Sequence, residues 1–171
     1  MDIIVQTERL LIRKLVLEDA DFILKLLNTK GWLEHIGDRG VRDIEDAQEY
    51  LESGPLRSYG KYSFGLYLVS LNTPAANKIG LCGFLQRVEL DAPDIGFAFL
   101  PEYEKKGFAF ESAKALVDNA REQKLFSKLY AIVSKENISS HNLLVKLGME
   151  PQGDFYMDGK DEVLDFYLML I

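Results

Sequence analysis

Apolar residues recur along this chain with two periods, and the changes of period divide it into elements. From Thr7 to Leu15 (TERLLIRKL) the residues are apolar and β-compatible, with Leu10 and Ile12 alternating against Arg9, Leu11 and Arg13, which predicts a strand. Leu17-Glu18-Asp19-Ala20-Asp21 places acidic residues where a helix begins. Phe22, Ile23, Leu26 and Leu27 supply its core face, so that helix is expected to run to about Leu27. Gly31–Arg42 has no clear period and contains Gly31, Gly37 and Gly40; a loop, or a loop with a short helical turn, is expected. Asp43 can cap a second helix through about Glu52, with Glu45 and Asp46 in its first turn and Gly54-Pro55 as its stop.

The second half alternates differently. Tyr62–Leu71, Lys78–Leu90 and Asp94–Leu100 read as three successive strands, joined by the turn-rich Asn72–Asn77 and by Asp91-Ala92-Pro93, and predict an antiparallel meander. Ala109, Ala113, Leu116 and Ala120 recur at helical steps and predict a helix from Gly107 to about Lys124. Lys128–Val133 is a short strand. Asn137–Leu147 is an amphipathic helix ended by Gly148. Glu150–Met157 and Glu162–Ile171 read as a closing hairpin over Asp158-Gly159-Lys160. The order is βαα, βββ, α, β, α, ββ: a single α/β (α+β) domain over residues 1–171, with about seven strands in a mixed, mostly antiparallel sheet and about four flanking helices.

Charge and composition narrow the function. The chain has 171 residues, 27 acidic against 20 basic, for a net charge of -7. A polyanion binder is usually basic, so no nucleic-acid partner is expected, while an acidic surface suits a cationic acceptor. Cys82 is the only cysteine and His35 and His141 the only histidines, so neither an intrachain disulfide nor a metal site is expected. Cys82 lies in the apolar run Ile79–Phe84 and reads as a buried, inert thiol. The start Met1-Asp2-Ile3-Ile4 lacks a signal-peptide pattern, and no apolar run approaches the roughly 18 residues of a membrane span. A cytoplasmic protein without a membrane partner is expected.

Candidate chemistry gathers between Asp94 and Met149. Pro101–Glu111 carries a strand end, a short loop and a helix beginning at Gly107-Phe108-Ala109. A helix start presents free N–H groups and the positive end of its dipole. Gly107 and Ala109 allow close approach, and Lys105 and Lys106 add charge, which together suit a pyrophosphate. The same residues also read as a plain helix start with two solvated lysines. Neither a Walker-type phosphate loop nor a GxGxxG fingerprint is present.

Four segments, in order, resemble the GNAT acyltransferase superfamily, and within it the branch of ribosomal-protein N-terminal acetyltransferases. They are Thr7–Arg13 with Leu17–Ala20, Asp94-Ile95-Gly96-Phe97-Ala98-Phe99, Gly107–Ala113, and Asn137–Met149. The resemblance spans nearly the whole chain and implies a fold with a splayed central strand pair. It implies acetyl-CoA as acyl donor and an amine, either a small molecule or a protein N-terminus, as acceptor, in a monomer or homodimer. It further implies that backbone N–H groups of Lys105, Lys106, Gly107, Phe108 and Ala109 hold the coenzyme A pyrophosphate. Phe97, Ala98, Phe99 and Leu100 would pair with the pantetheine arm and offer an N–H to the thioester oxygen, and Asn137 and Ser140 would sit beside the sulfur.

The chemistry requires a general base for the amine and a donor for the tetrahedral oxyanion. Asp94 is the first choice of base, acting directly or through water, with Asp165 and Glu102 in reserve; a solvated turn residue after Pro93 is the competing reading. Ser140 is the choice near the sulfur, with a capping partnership with Asn137 as the competing reading. The chain departs from the family at Glu104, where Gln or Arg is common, and at Lys105, where a second glycine is common. Leu144 stands where many members carry a tyrosine that serves as general acid, which shifts proton donation to Ser140, a tyrosine such as Tyr103, or solvent. Met149 replaces a common Phe. His141 reads as a surface residue; His35, Trp32, Tyr59 and Tyr62 either border the acceptor pocket or pack. These departures keep two other readings open: a catalytically degenerate coenzyme A-binding module, and an interaction domain without a cofactor.

Overall fold

A computed structural model describes residues 2–157 and 162–171, and the turn expected at Asp158-Gly159-Lys160 lies outside them. The chain begins with a hairpin rather than one strand: β1 (Ile3–Gln6) and β2 (Leu10–Lys14) pair antiparallel. Thr7 makes the turn. Its N–H donates to the Leu10 carbonyl at 2.8 Å and its Oγ1 accepts the Leu10 N–H at 2.9 Å, so Thr7-Glu8-Arg9 leaves the strand despite its β-compatible composition.

Three helices follow. α1 is Ala20–Leu27 and α2 is Lys30–His35, started by Thr29, whose hydroxyl accepts the Trp32 N–H. Gly31–Arg42 is therefore part helix. α3 runs Ile44–Leu51 from its Asp43 cap and does not stop at Pro55: a wider π turn over Glu52–Leu56 accommodates the proline ring, and the helix continues as Arg57–Tyr62. Ser63, at φ 65°, ends it, so Tyr62 closes a helix rather than opening a strand.

β3 (Leu66–Leu71), β4 (Lys78–Leu85) and β5 (Asp94–Phe99) form the expected meander. β4 is shorter than expected because the Gln86 side chain donates to the Leu90 carbonyl at 3.0 Å and turns the chain away. α4 (Phe108–Gln123), β6 (Lys128–Ser134) and α5 (Ile138–Leu147) follow, and β7 (Glu150–Tyr156) pairs with β8 (Val163–Leu170) as the closing hairpin. The described residues thus hold eight strands and five helices, against the expected seven and four; the additions are β1 and α2. The sheet order is β1-β2-β3-β4-β5-β6-β8-β7, antiparallel except between β5 and β6. No helix among the described residues is long and apolar enough to cross a membrane.

Helices α1–α3 cover one side of β2–β4 through Ile23, Leu26, Ala47, Leu51, Leu68 and Leu81. α4 and α5 cover the other side through Leu116, Ala120 and Leu144 against Tyr67, Val69 and Ala131. Asp19, 1% exposed, ties the hairpin to α1: Arg13 donates to it twice, at 2.7 and 2.8 Å, and Lys78 Nζ lies at 2.7 Å. Burial opposes ionisation of Asp19, but these cations and the Val16 N–H outweigh it and hold the carboxyl below its ordinary range.

Candidate active site

Among the described residues β5 and β6 are the only parallel neighbours, and they pair through one register position, Asp94 opposite Tyr130, with the Tyr130 N–H donating to the Pro93 carbonyl at 2.9 Å. Beyond that point the strands diverge. Parallel strands put their C-terminal ends on the same side, so the helices that follow them, α4 and α5, both begin at the open end. The central sheet therefore carries a cleft flanked by two helix starts.

The residues on the β5 side of the cleft divide by strand alternation. The Leu100 N–H donates to the Ile79 carbonyl at 2.9 Å and its carbonyl accepts from the Tyr103 N–H at 2.8 Å. In the unbroken β4–β5 register Ala98 faces β4 as Leu100 does, while Phe97 and Phe99 turn their N–H and C=O toward the opening. Of the four residues Phe97–Leu100, two therefore present backbone to the cleft and two do not. Phe99 itself packs under α4, at 8% exposure.

A turn over Pro101–Tyr103 leads from β5 to the loop before α4. Gly107 caps α4 at φ 83° and, having no side chain, makes no capping bond to its first N–H groups. Lys105 is also left-handed, at φ 57°, so it takes up the conformation for which a glycine is common in the resembled family. Lys105 and Lys106 are exposed, and Lys106 Nζ lies 5.5 Å from the Tyr103 ring centre. The N–H groups of Phe108 and Ala109, left without helical acceptors, add to this anion-favouring end.

On the β6 side, Asn137 caps α5: its Oδ1 accepts the Ser140 N–H at 3.1 Å. The capping partnership is thus real, and it leaves the Ser140 hydroxyl half-buried at the first turn. Leu144 is buried beneath the same helix.

Asp94 lies at the closed end of the pair, three residues before Phe97, about 10 Å along the strand. It is 2% exposed rather than a solvated turn residue, and Arg87 Nε donates to its Oδ1 at 2.9 Å. Burial raises its pKa to about 6, against the opposing pull of Arg87. A carboxyl poised near neutrality inside a fold is suited to accept a proton at physiological pH. The reserve candidates lie elsewhere: Glu102 is exposed and pairs with Lys25 at 3.2 Å, and Asp165 lies 3.5 Å from His141 Nε2.

His141 is not a surface residue. Its Nδ1 lies 2.8 Å from the Tyr167 hydroxyl and its Nε2 lies 3.2 Å from the Ser134 carbonyl. A carbonyl only accepts, so Nε2 is the donor to Ser134. Sequence reasoning missed this pair because the partners are 26 residues apart with no motif joining them. Arg87 was missed likewise.

The other aromatics mostly pack. The Tyr59 hydroxyl bonds the Leu66 carbonyl and accepts the Leu15 N–H at 3.0 Å, and Tyr62 stacks on Phe64. Trp32 is buried and its indole N–H has no partner among the described residues, and His35 is exposed at the end of α2. Cys82 is fully buried, which pushes its thiol up to about 12.

An antiparallel sheet with one splayed parallel pair thus opens between a glycine-capped helix start and an Asn-capped one. Residues 9–150 match the acetyltransferase (GNAT) domain, and the chain belongs to that family. It is 26% identical over 151 residues to the uncharacterized N-acetyltransferase YnaD of Bacillus subtilis, across 88% of this chain and 85% of that one. The same fold is found in RimL, a ribosomal L7/L12 alpha-N-protein acetyltransferase solved with coenzyme A: TM-score 0.84, 17% identity, covering 99% of this chain and 98% of that chain. It is found again in the microcin C7 self-immunity acetyltransferase MccE, solved with acetyl-CoA and AMP: TM-score 0.81, 13% identity, covering 96% and 94%.

Proposed function

We propose that this protein transfers the acetyl group of acetyl-CoA to a primary amine by direct attack. The observation that carries the reading is the cleft itself: β5 and β6 meet only at Asp94 and Tyr130 and then part between two helix starts. RimL, solved with coenzyme A, and MccE, solved with acetyl-CoA, accord with it.

In this reading the pyrophosphate rests on the N–H groups of Lys105–Ala109, and the pantetheine arm pairs with the free backbone of Phe97 and Phe99. Asp94, through a water bridge, takes the proton from the ammonium, and the amine lone pair attacks the thioester carbon. One of the outward N–H groups of β5 receives the oxyanion. Collapse of the intermediate breaks the C–S bond, and the proton the nitrogen sheds on becoming an amide passes to the departing coenzyme A thiolate, relayed by the Ser140 hydroxyl or by solvent. The acceptor is a small amine or a protein N-terminus; the L7/L12 N-terminus modified by RimL makes peptides a natural first panel.

The experiment is transfer from labelled acetyl-CoA to small amines, polyamines and N-terminal peptides. Label on an amine supports the reading. Coenzyme A binding without transfer to any amine supports the degenerate binding module instead.

A further inference from the structure

The hairpin turn Thr7-Glu8-Arg9 lies against the first turn of α4, some hundred residues away in sequence, and grips the loop that precedes it. Arg9 donates through Nε to Glu111 Oε2 at 2.7 Å, with Nη2 at 2.5 Å from the same oxygen, and through Nη1 to the Lys106 carbonyl at 3.2 Å. Its guanidinium carbon stands 4.7 Å from the centre of the Phe108 ring. Thr7 Oγ1 donates to Glu111 Oε1 at 2.5 Å while accepting the Leu10 N–H, so the hydroxyl is oriented from both sides. Burial works against ionisation of Glu111, but Thr7 and Arg9 outweigh it and hold the carboxyl below its ordinary range.

The bond to Lys106 has a geometric consequence. In a trans peptide unit the carbonyl of one residue and the N–H of the next point in opposite directions. Holding the Lys106 carbonyl toward Arg9 therefore turns the Gly107 N–H away from it, free for an anion. The loop needs holding, because Lys105 occupies the left-handed region without being glycine, next to left-handed Gly107.

We propose that Arg9, braced by Glu111 and Thr7, is a positioning residue that keeps the Lys105–Gly107 loop in its anion-binding shape and so permits a lysine where a glycine is common. The ligand in this inference rests on the coenzyme A reading; the effect on the loop does not. A rival role is open to Arg9, since its side chain is 47% exposed beside a hollow of about 410 Å³ that Lys114 and Lys146 also line: direct contact with a phosphate.

Glu111→Gln separates the two roles. A brace loses its anchor when that charge is removed, whereas a direct phosphate contact is unharmed or helped by losing a nearby carboxylate. Hydrogen exchange of the ligand-free protein and calorimetric titration with coenzyme A would be run on the wild type, Arg9→Ala, Glu111→Gln, Thr7→Val and Thr7→Ser, with melting temperatures to confirm folding. The expected result is faster amide exchange over residues 105–109 and about tenfold weaker coenzyme A binding in Arg9→Ala and Glu111→Gln. Thr7→Val should follow in the same direction, Thr7→Ser should match the wild type, and kcat at saturating acetyl-CoA should stay within about twofold wherever transfer is measurable. Wild-type affinity in Glu111→Gln, or unchanged exchange in Arg9→Ala, would overturn the inference. If the wild type binds no coenzyme A while exchange still responds to Arg9, the brace stands and the coenzyme reading fails.

Discussion

Arg87 Nε lies 2.9 Å from Asp94 Oδ1, joining the turn after β4 to the first residue of β5. Asp94 is 2% exposed, and the Arg87 side chain is 29% exposed. The arginine offsets part of the cost of burying the carboxylate, and the balance leaves Asp94 with a pKa of about 6. If Asp94 is the base, activity rises with pH as it ionises. Asp94→Asn should therefore lower kcat/KM at pH 7 by about a hundredfold or more and abolish the limb near pH 6. A pH–rate profile of both proteins on one acceptor checks this; a fully active Asp94→Asn enzyme would remove the residue from the mechanism.

Arg87→Met removes the contact that lowers the Asp94 pKa while leaving the burial that raises it. The acidic limb should move upward from about 6, so the variant loses more activity at pH 6 than at pH 8. The same profile, with the limb unmoved, would mean that another group titrates.

Asp19→Asn strips a buried carboxylate from Arg13 and Lys78. Removing one member of a buried ion pair costs about 3–5 kcal/mol, so denaturant unfolding should show a loss of that order. The pKa of Asp19 is depressed in the folded state, so the stabilisation is present above the unfolded value of 3.8 and is lost as pH falls through the folded value. The gap between the two proteins should narrow in acid, and equal stability at pH 7 would contradict the assignment.

Asn137→Ala removes the acceptor for the Ser140 N–H at the start of α5. Loss of such a cap costs about 1 kcal/mol, seen as a lower melting temperature. Coenzyme A binding should weaken as well, because that first turn borders the cleft; Asn137→Asp, which keeps the cap, should restore stability. Unaltered affinity in Asn137→Ala would confine the residue to capping.

Features whose causes are local could be read directly from the chain. Gly107 and Gly148 stand where left-handed helix ends need them, Asn137 caps the helix it precedes, and the apolar period of Ala109–Ala120 matches the buried side of α4. Elements set by tertiary partners could not. Thr7-Glu8-Arg9 has strand composition, and only its hydrogen bonds with Leu10 and Glu111 make it a turn that braces a helix. Pro55 ordinarily stops a helix, and here a π turn carries the chain past it. Arg87 and Tyr167 contribute through partners that no spacing rule connects to Asp94 and His141. The family resemblance located the cleft, and strand alternation was needed to show that Phe97 and Phe99, rather than Ala98 and Leu100, face it.

Calorimetric titration of the folded protein with acetyl-CoA, beside coenzyme A and ATP, tests the central claim most directly. Saturable binding of acetyl-CoA and coenzyme A, without binding of ATP, is the predicted result. Absence of binding by a demonstrably folded sample would contradict it and leave the cleft without its donor.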